Sequence, residues 1–162
     1  MVNAREARWL DNERFGAYTR SEPEGTRFEQ VGINISVLQP GQPMALYHAE
    51  EDQEDFLVLS GSATLLIEGE ERKLKQWDFV HCPSWTEHII VGAGDEPCAV
   101  LAVGGRMHEA VVYPVAELAL RHGAGAHEER RRGADGEAGE SPYKGFPEDV
   151  ELAGELDLPS LT

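Results

Sequence analysis

Between Phe28 and Val103 the chain is a succession of short runs rich in Val, Ile, Leu and Phe, cut at close intervals by turn residues. Segments of this length cannot be long helices, and their regular spacing predicts an all-β sandwich or barrel. Ile33, Ile35 and Val37 alternate with Asn34 and Ser36, which predicts a strand that buries its apolar face before Gln39-Pro40-Gly41-Gln42-Pro43 ends it. Further strands are expected over Met44–His48, Glu54–Ser60, Ala63–Ile67, Asp78–Cys82, His88–Val91 and Cys98–Val103. Glu68-Gly69 supplies a hairpin turn, because glycine accepts the positive φ of a tight loop.

The rest of the chain is built differently. Pro114 opens a short helical pattern carrying Val115, Leu118 and Ala119, and Gly123 stops it. Residues 124–141, with the run Arg130-Arg131-Arg132, hold almost no large apolar side chain and read as a linker. Tyr143, Phe146, Val150, Leu152, Leu156, Leu158 and Leu161 then return as anchors for the barrel or for a partner subunit. This divides the chain into an N-terminal extension (1–27), a barrel (28–113) and a C-terminal helix, linker and tail (114–162).

Of the 162 residues, 41% are hydrophobic, enough for one core, and 27% are charged with no apolar run near membrane-spanning length. A membrane role is not expected, and the charged N-terminus lacks a secretory leader, so the expected compartment is cytoplasmic. The net charge of −16 repels phosphate backbones and argues against nucleic acid. Cys82 and Cys98 lack zinc-finger spacing and are expected as reduced, semi-buried thiols.

His48 and Glu50 lie two apart on an expected strand and so share a face. Glu54 opens the next strand on the face of Phe56 and Val58, where a carboxylate needs a partner. His88 begins a later strand with Ile90 on its own face. Imidazole and carboxylate together suit Fe, Mn, Zn or Ni, and a cation offsets the cost of burying acids. Tyr47 and Trp85 are candidates for a substrate pocket. Of His81 and Cys82, alternation lets one alone face inward.

Two segments carry a family resemblance. Gly41, His48, Glu50, Glu54 and Gly61, followed by Asp78, Pro83 and His88, resemble the paired motifs of the cupin superfamily over about residues 30–103. The resemblance implies a double-stranded β-helix, or jelly-roll, holding one divalent metal ion per chain through His48, Glu50, Glu54 and His88. Glu50 stands where the family usually has a second histidine. Since a carboxylate also coordinates, His48, Glu50 and His88 form the expected triad, with Glu54 a fourth ligand or the general base. Trp77 and Trp85 replace motif glycines, and Gly92 stands where asparagine is common. The family implies a metal-dependent dioxygenase acting on a small organic molecule, alternatively a sugar isomerase or a non-enzymatic sensor. It also implies a homodimer, for which Trp9, Leu10, Phe15, Val111, Val112, Tyr113 and Leu118 supply apolar residues beyond a minimal barrel.

Overall fold

The computed structural model describes residues 2–23, 25–133, 141–152, 156 and 158–159. In chain order the elements are β1 (Arg8–Asn12), β2 (Gly16–Arg20), β3 (Val31–Leu38), β4 (Ala49–Glu50), β5 (Glu54–Ser60), β6 (Ser62–Ile67) and β7 (Glu70–Lys75). They are followed by β8 (Phe79–Cys82), β9 (His88–Ala93), β10 (Cys98–Gly105), β11 (Val111–Tyr113), α1 (Glu117–Arg121), β12 (Arg130–Arg132) and β13 (Val150–Glu151). All pairings are antiparallel. They give a seven-stranded sheet in the order β13-β1-β2-β3-β10-β5-β8 and two three-stranded sheets, β7-β6-β9 and β12-β11-β4.

The barrel interior forms where the first two sheets face each other. Leu38, Phe56, Val80, Cys82, Cys98, Val100 and Ala102 from the large sheet meet Ala63, Leu65 and Ile90 from β6 and β9. Both cysteines are free and buried. On the other face of β6 and β9, Leu66, Ile89 and Val91 pack under α1 through Ala119. The β6–β7 hairpin turns at Glu68 and Gly69, both with positive φ, as its sequence predicts.

Several elements depart from their sequence reading. On β3 it is Asn34 and Ser36 that line the interior cavity, while Ile33 is exposed and Ile35 and Val37 lie on the outer face. That face is partly covered by Trp9, Leu152, Leu156 and Leu158, so the strand buries apolar side chains outside the barrel. Met44–His48 forms no regular strand; its backbone is tied to β9 by bonds from Met44 N–H to Ile90 and by a reciprocal pair between His48 and His88. Residues 1–27 contain β1 and β2, which continue the large sheet. Of the seven apolar residues from which a dimer contact was expected, Trp9, Leu10, Phe15, Val111 and Tyr113 are buried within the single chain, and Val112 and Leu118 are half-buried.

The stretch read as a linker is partly built into the fold. Ala124 and Ala126 are buried, the Ala124 carbonyl accepts from Tyr47 N–H, and β12 pairs with β11. Small alanines fit against a surface that larger side chains would hold off, so low apolar area does not here mean an absence of packing. Residues 134–140, and Leu161 of the expected anchors, lie outside the described residues. Among the described residues no helix is long and apolar enough to cross a membrane.

Candidate metal centre

The site is assembled from three places on the barrel wall. His48 precedes β4, Glu54 opens β5 and His88 opens β9, and one ligand atom from each lies within 4.8 Å of the others. His48 and His88 sit opposite each other across a bridge in which each N–H donates to the other's carbonyl, at 3.2 and 2.9 Å. That pairing sets the two imidazoles side by side, 5.0 Å between ring centres. Glu54 reaches between them because β5 alternates, placing Glu54, Phe56 and Val58 inward.

Local backbone fixes which nitrogen faces the centre. His48 Nδ1 lies 2.6 Å from the Leu46 carbonyl and His88 Nδ1 lies 2.8 Å from that of Thr86. A carbonyl only accepts, so each Nδ1 carries a proton and donates it. Nε2 of each ring is thereby turned to Glu54 Oε2, at 3.6 Å from His48 and 3.0 Å from His88. Orienting a ligand histidine through its second nitrogen is the usual device of metal sites.

Charge coupling within the cluster is strong. Burial disfavours the charged form of His48, but the hydrogen bond and charge of Glu54 prevail and raise it to about 8. His88 is likewise opposed by burial, yet hydrogen bonds to Cys82 and Glu54 bring it to about 9. For Glu54, burial pushes upward and the two imidazoles pull harder, holding the carboxyl at about 2. Without an ion the cluster is therefore a carboxylate shared by two imidazolium rings. A divalent cation can replace the two ring protons with no change in net charge.

The four expected ligands do not stand equally. His48, Glu54 and His88 converge, whereas Glu50 flanks them, its Oε1 3.5 Å from His48 Nε2. Glu54, expected as a fourth ligand or general base, is the carboxylate that stands against both imidazoles, and Glu50, expected in the triad, stands against His48. Glu50 is raised above the ordinary carboxyl range by burial, against the pull of His48. Tyr47 is not in the pocket: it is buried in the core under α1. Trp85 is half exposed on the turn before β9, where its N–H donates to the Glu50 carbonyl, and it does not line the cavity. Of the neighbouring pair, Cys82 faces inward and His81 faces out to Asp55.

The centre opens on two cavities that share Asn34, Glu50, Glu54 and Tyr113. One is a chamber of about 790 Å³ with Phe15, Phe56, Tyr143 and Phe146 in its walls, roofed by the segment 143–149. The Tyr143 hydroxyl accepts from Leu46 N–H at 3.3 Å, and Asn12 donates to the Pro147 carbonyl and the Asp149 carboxylate, both at 2.9 Å. The other is a polar vestibule of about 290 Å³. Tyr113, whose ring centre is 5.8 Å from that of His48, was read in sequence as surplus apolar surface. Only the β11–β4 pairing, between segments some sixty residues apart, discloses its place.

The geometry agrees with comparisons to known proteins. A family model described as a cupin domain matches residues 34–104. Among solved structures, a proposed sugar phosphate isomerase of Acidithiobacillus ferrooxidans is 32% identical over 56% of this chain, with a TM-score of 0.51. The match spans 58% of that protein's length. The polyketide cyclase RemF of Streptomyces resistomycificus is 15% identical, covering 65% of this chain and 78% of its own, with a TM-score of 0.56. A cupin-superfamily sugar phosphate isomerase of Silicibacter pomeroyi is 21% identical over 82% of this chain and 80% of its own, with a TM-score of 0.53. No curated protein matches the sequence. The barrel of this chain, with its two histidines and glutamate at the mouth, matches the cupin domain over residues 34–104 and has the cupin fold.

Proposed function

We propose that this protein is a metal-dependent enzyme in which His48, Glu54 and His88 hold one divalent cation and the adjoining chamber takes a small organic molecule. The observation that carries this reading is the convergence of three donors from separate elements, with both imidazoles already turned by carbonyls toward the common point. A bound cation would supply Lewis-acid polarisation of a substrate oxygen. Glu54 is engaged by two imidazoles and serves as ligand, so the general-base role passes to Glu50, which faces both cavities from beside the centre. Proton transfer next to a carbonyl is the reaction class that this pairing of cation and carboxylate suits. The likeness to the proposed isomerase of A. ferrooxidans supports the same class. An oxygenase reading draws on the two-histidine, one-carboxylate composition, which suits iron(II).

The test is elemental analysis of protein purified without added metal, then anaerobic reconstitution with manganese, iron, nickel and zinc. Roughly one ion per chain is expected, lost in His48→Ala, His88→Ala and Glu54→Ala and kept in Glu50→Gln. Full occupancy in all four variants removes the reading. Oxygen uptake confined to the iron form would move the assignment to an oxygenase. Ion binding with neither oxygen uptake nor exchange of substrate carbon-bound hydrogen with solvent would make the protein a sensor.

A further inference from the structure

The polar vestibule holds an unexpected concentration of cations. The chain has 14 Lys and Arg against 30 Asp and Glu, yet Arg27, Arg106 and Arg132, from three separate regions, all line this one cavity beside Glu54. Arg132 is brought there by the β11–β12 pairing, which sets it opposite Val111. In sequence the same arginine run had no assignable role.

Three of the vestibule's four carboxylates lie against histidines rather than against its arginines. Glu54 is held by His48 and His88, and Glu50 lies against His48. Asp52 accepts from His108 through ring and backbone, at 2.7 and 2.8 Å. Glu109 stands 3.9 Å from Arg27, a long contact between two exposed side chains. Arg106 is fixed in the wall by Glu22, from outside the cavity, and by the Phe28 carbonyl. Arg132 has no ion-pair partner among the described residues.

The floor is cleared as well. Gly104 and Gly32 are cross-strand partners, and a Cβ on Gly104 would stand 3.7 Å from the Glu54 carboxylate, while one on Gly32 would stand 2.7 Å from the Arg106 guanidinium. Side chains at these two positions would fill the space between the arginines and the centre.

We infer that the vestibule seats the anionic end, a carboxylate or phosphate, of the small molecule whose reacting part lies at the His48–Glu54–His88 centre. This extends the reading of that centre as the site of reaction and rests on it. Arg132 is the principal contact, with Arg27 turning from its long pair with Glu109 as the second, because a guanidinium fork matches two oxygens of either anion. Arg106 positions the wall. If the arginines served only to offset nearby acids, no added anion would bind.

Calorimetric titration with inorganic phosphate and, separately, malonate tests this on metal-free and metal-loaded protein. At least one anion is expected to bind the wild type, with affinity about tenfold or more weaker in Arg132→Gln, weaker again in the double variant with Arg27→Gln, and partly restored in Arg132→Lys. Metal content should be unchanged throughout. Tighter binding of phosphate assigns a phosphomonoester, and tighter binding of malonate a carboxylic acid. Equal affinity in the wild type and the double variant overturns the proposal, since the anion then sits on the ion or elsewhere. Absence of binding by both anions overturns it as well. A wild type that takes up no metal strikes the centre alone, because the arginine dependence is still read on the metal-free protein.

Discussion

Glu54 lies between two imidazoles whose far nitrogens are committed to carbonyls, so protons and cations compete for the same two Nε2 atoms. With His48 raised to about 8 and His88 to about 9, both rings of the metal-free protein are protonated at pH 7. Loading the ion at pH 7 should therefore release close to two protons per chain, falling toward none above pH 9, and affinity should climb over that interval. A pH-stat titration with zinc reads this directly; no release at pH 7 would mean that the imidazoles are not ligands. The same shifts set the stability of the metal-free fold. The raised histidines stabilise it fully below their ordinary value of 6.5, and that support is lost as pH rises through 8 and 9. The lowered Glu54 stabilises it above 4.5, and that support is lost as pH falls toward 2. The thermal midpoint of chelated protein should accordingly peak between about pH 4.5 and 6.5, and the metal-loaded protein should lack the alkaline decline. The candidate ligands were legible in the sequence because Glu54 and His88 each open a strand with apolar neighbours on the same face, and because His48 has its place in the motif although it stands outside a regular strand. The division of labour between Glu50 and Glu54 was not, since it depends on which carboxylate lies between two rings that only the His48–His88 bridge brings together.

Two turns keep their shape without the residue that makes such turns easy. Trp77 and Trp85 occupy motif glycine positions, and both adopt positive φ, 73° and 63°. The surrounding bonds impose it: Trp77 N–H donates to Val58 and Trp85 N–H to Glu50, at 2.8 and 2.7 Å. An L side chain in this region costs about 1–2 kcal/mol, and Trp77 is largely exposed, with little packing in return. Trp77→Gly should thus exceed Trp77→Ala in unfolding free energy by roughly 0.5–1 kcal/mol, measured by chemical denaturation. The reverse order would mean that the turn relaxes. Gly92, the other departure from the motif, has a different cause: a Cβ there would collide with the Gln39 carbonyl, so the loop at 39–42 rests on bare backbone. The β3 reading found the strand and its apolar face but not which side is the barrel interior. Period-two alternation identifies the strand but not the sense of its faces, and here the cavity takes Asn34 and Ser36 while an outer cluster takes Val37.

Among the described residues four apolar clusters stand apart, the first being the barrel interior; the others lie under α1, at the cavity mouth around Phe15 and Tyr113, and on the outer face around Trp9. The all-β class was readable because its signals are local, whereas these outer clusters join residues far apart in the chain. The run 44–48 illustrates the difference, since it crosses the wall without a continuous ladder and carries the candidate ligand His48 at its end. Its attachment to β9 depends on a few bonds, among them the mutual His48–His88 pair. An ion gripping both side chains would clamp that pair from inside the barrel, so binding becomes readable in the exchange rates of backbone amides. The His48 and His88 amide hydrogens should exchange with deuterated solvent several-fold more slowly when metal is loaded, while those in the middle of β6 and β10 change little. Uniform slowing across all strands would instead mean that the ion reports on global unfolding, and that the wall at 44–48 has no opening of its own.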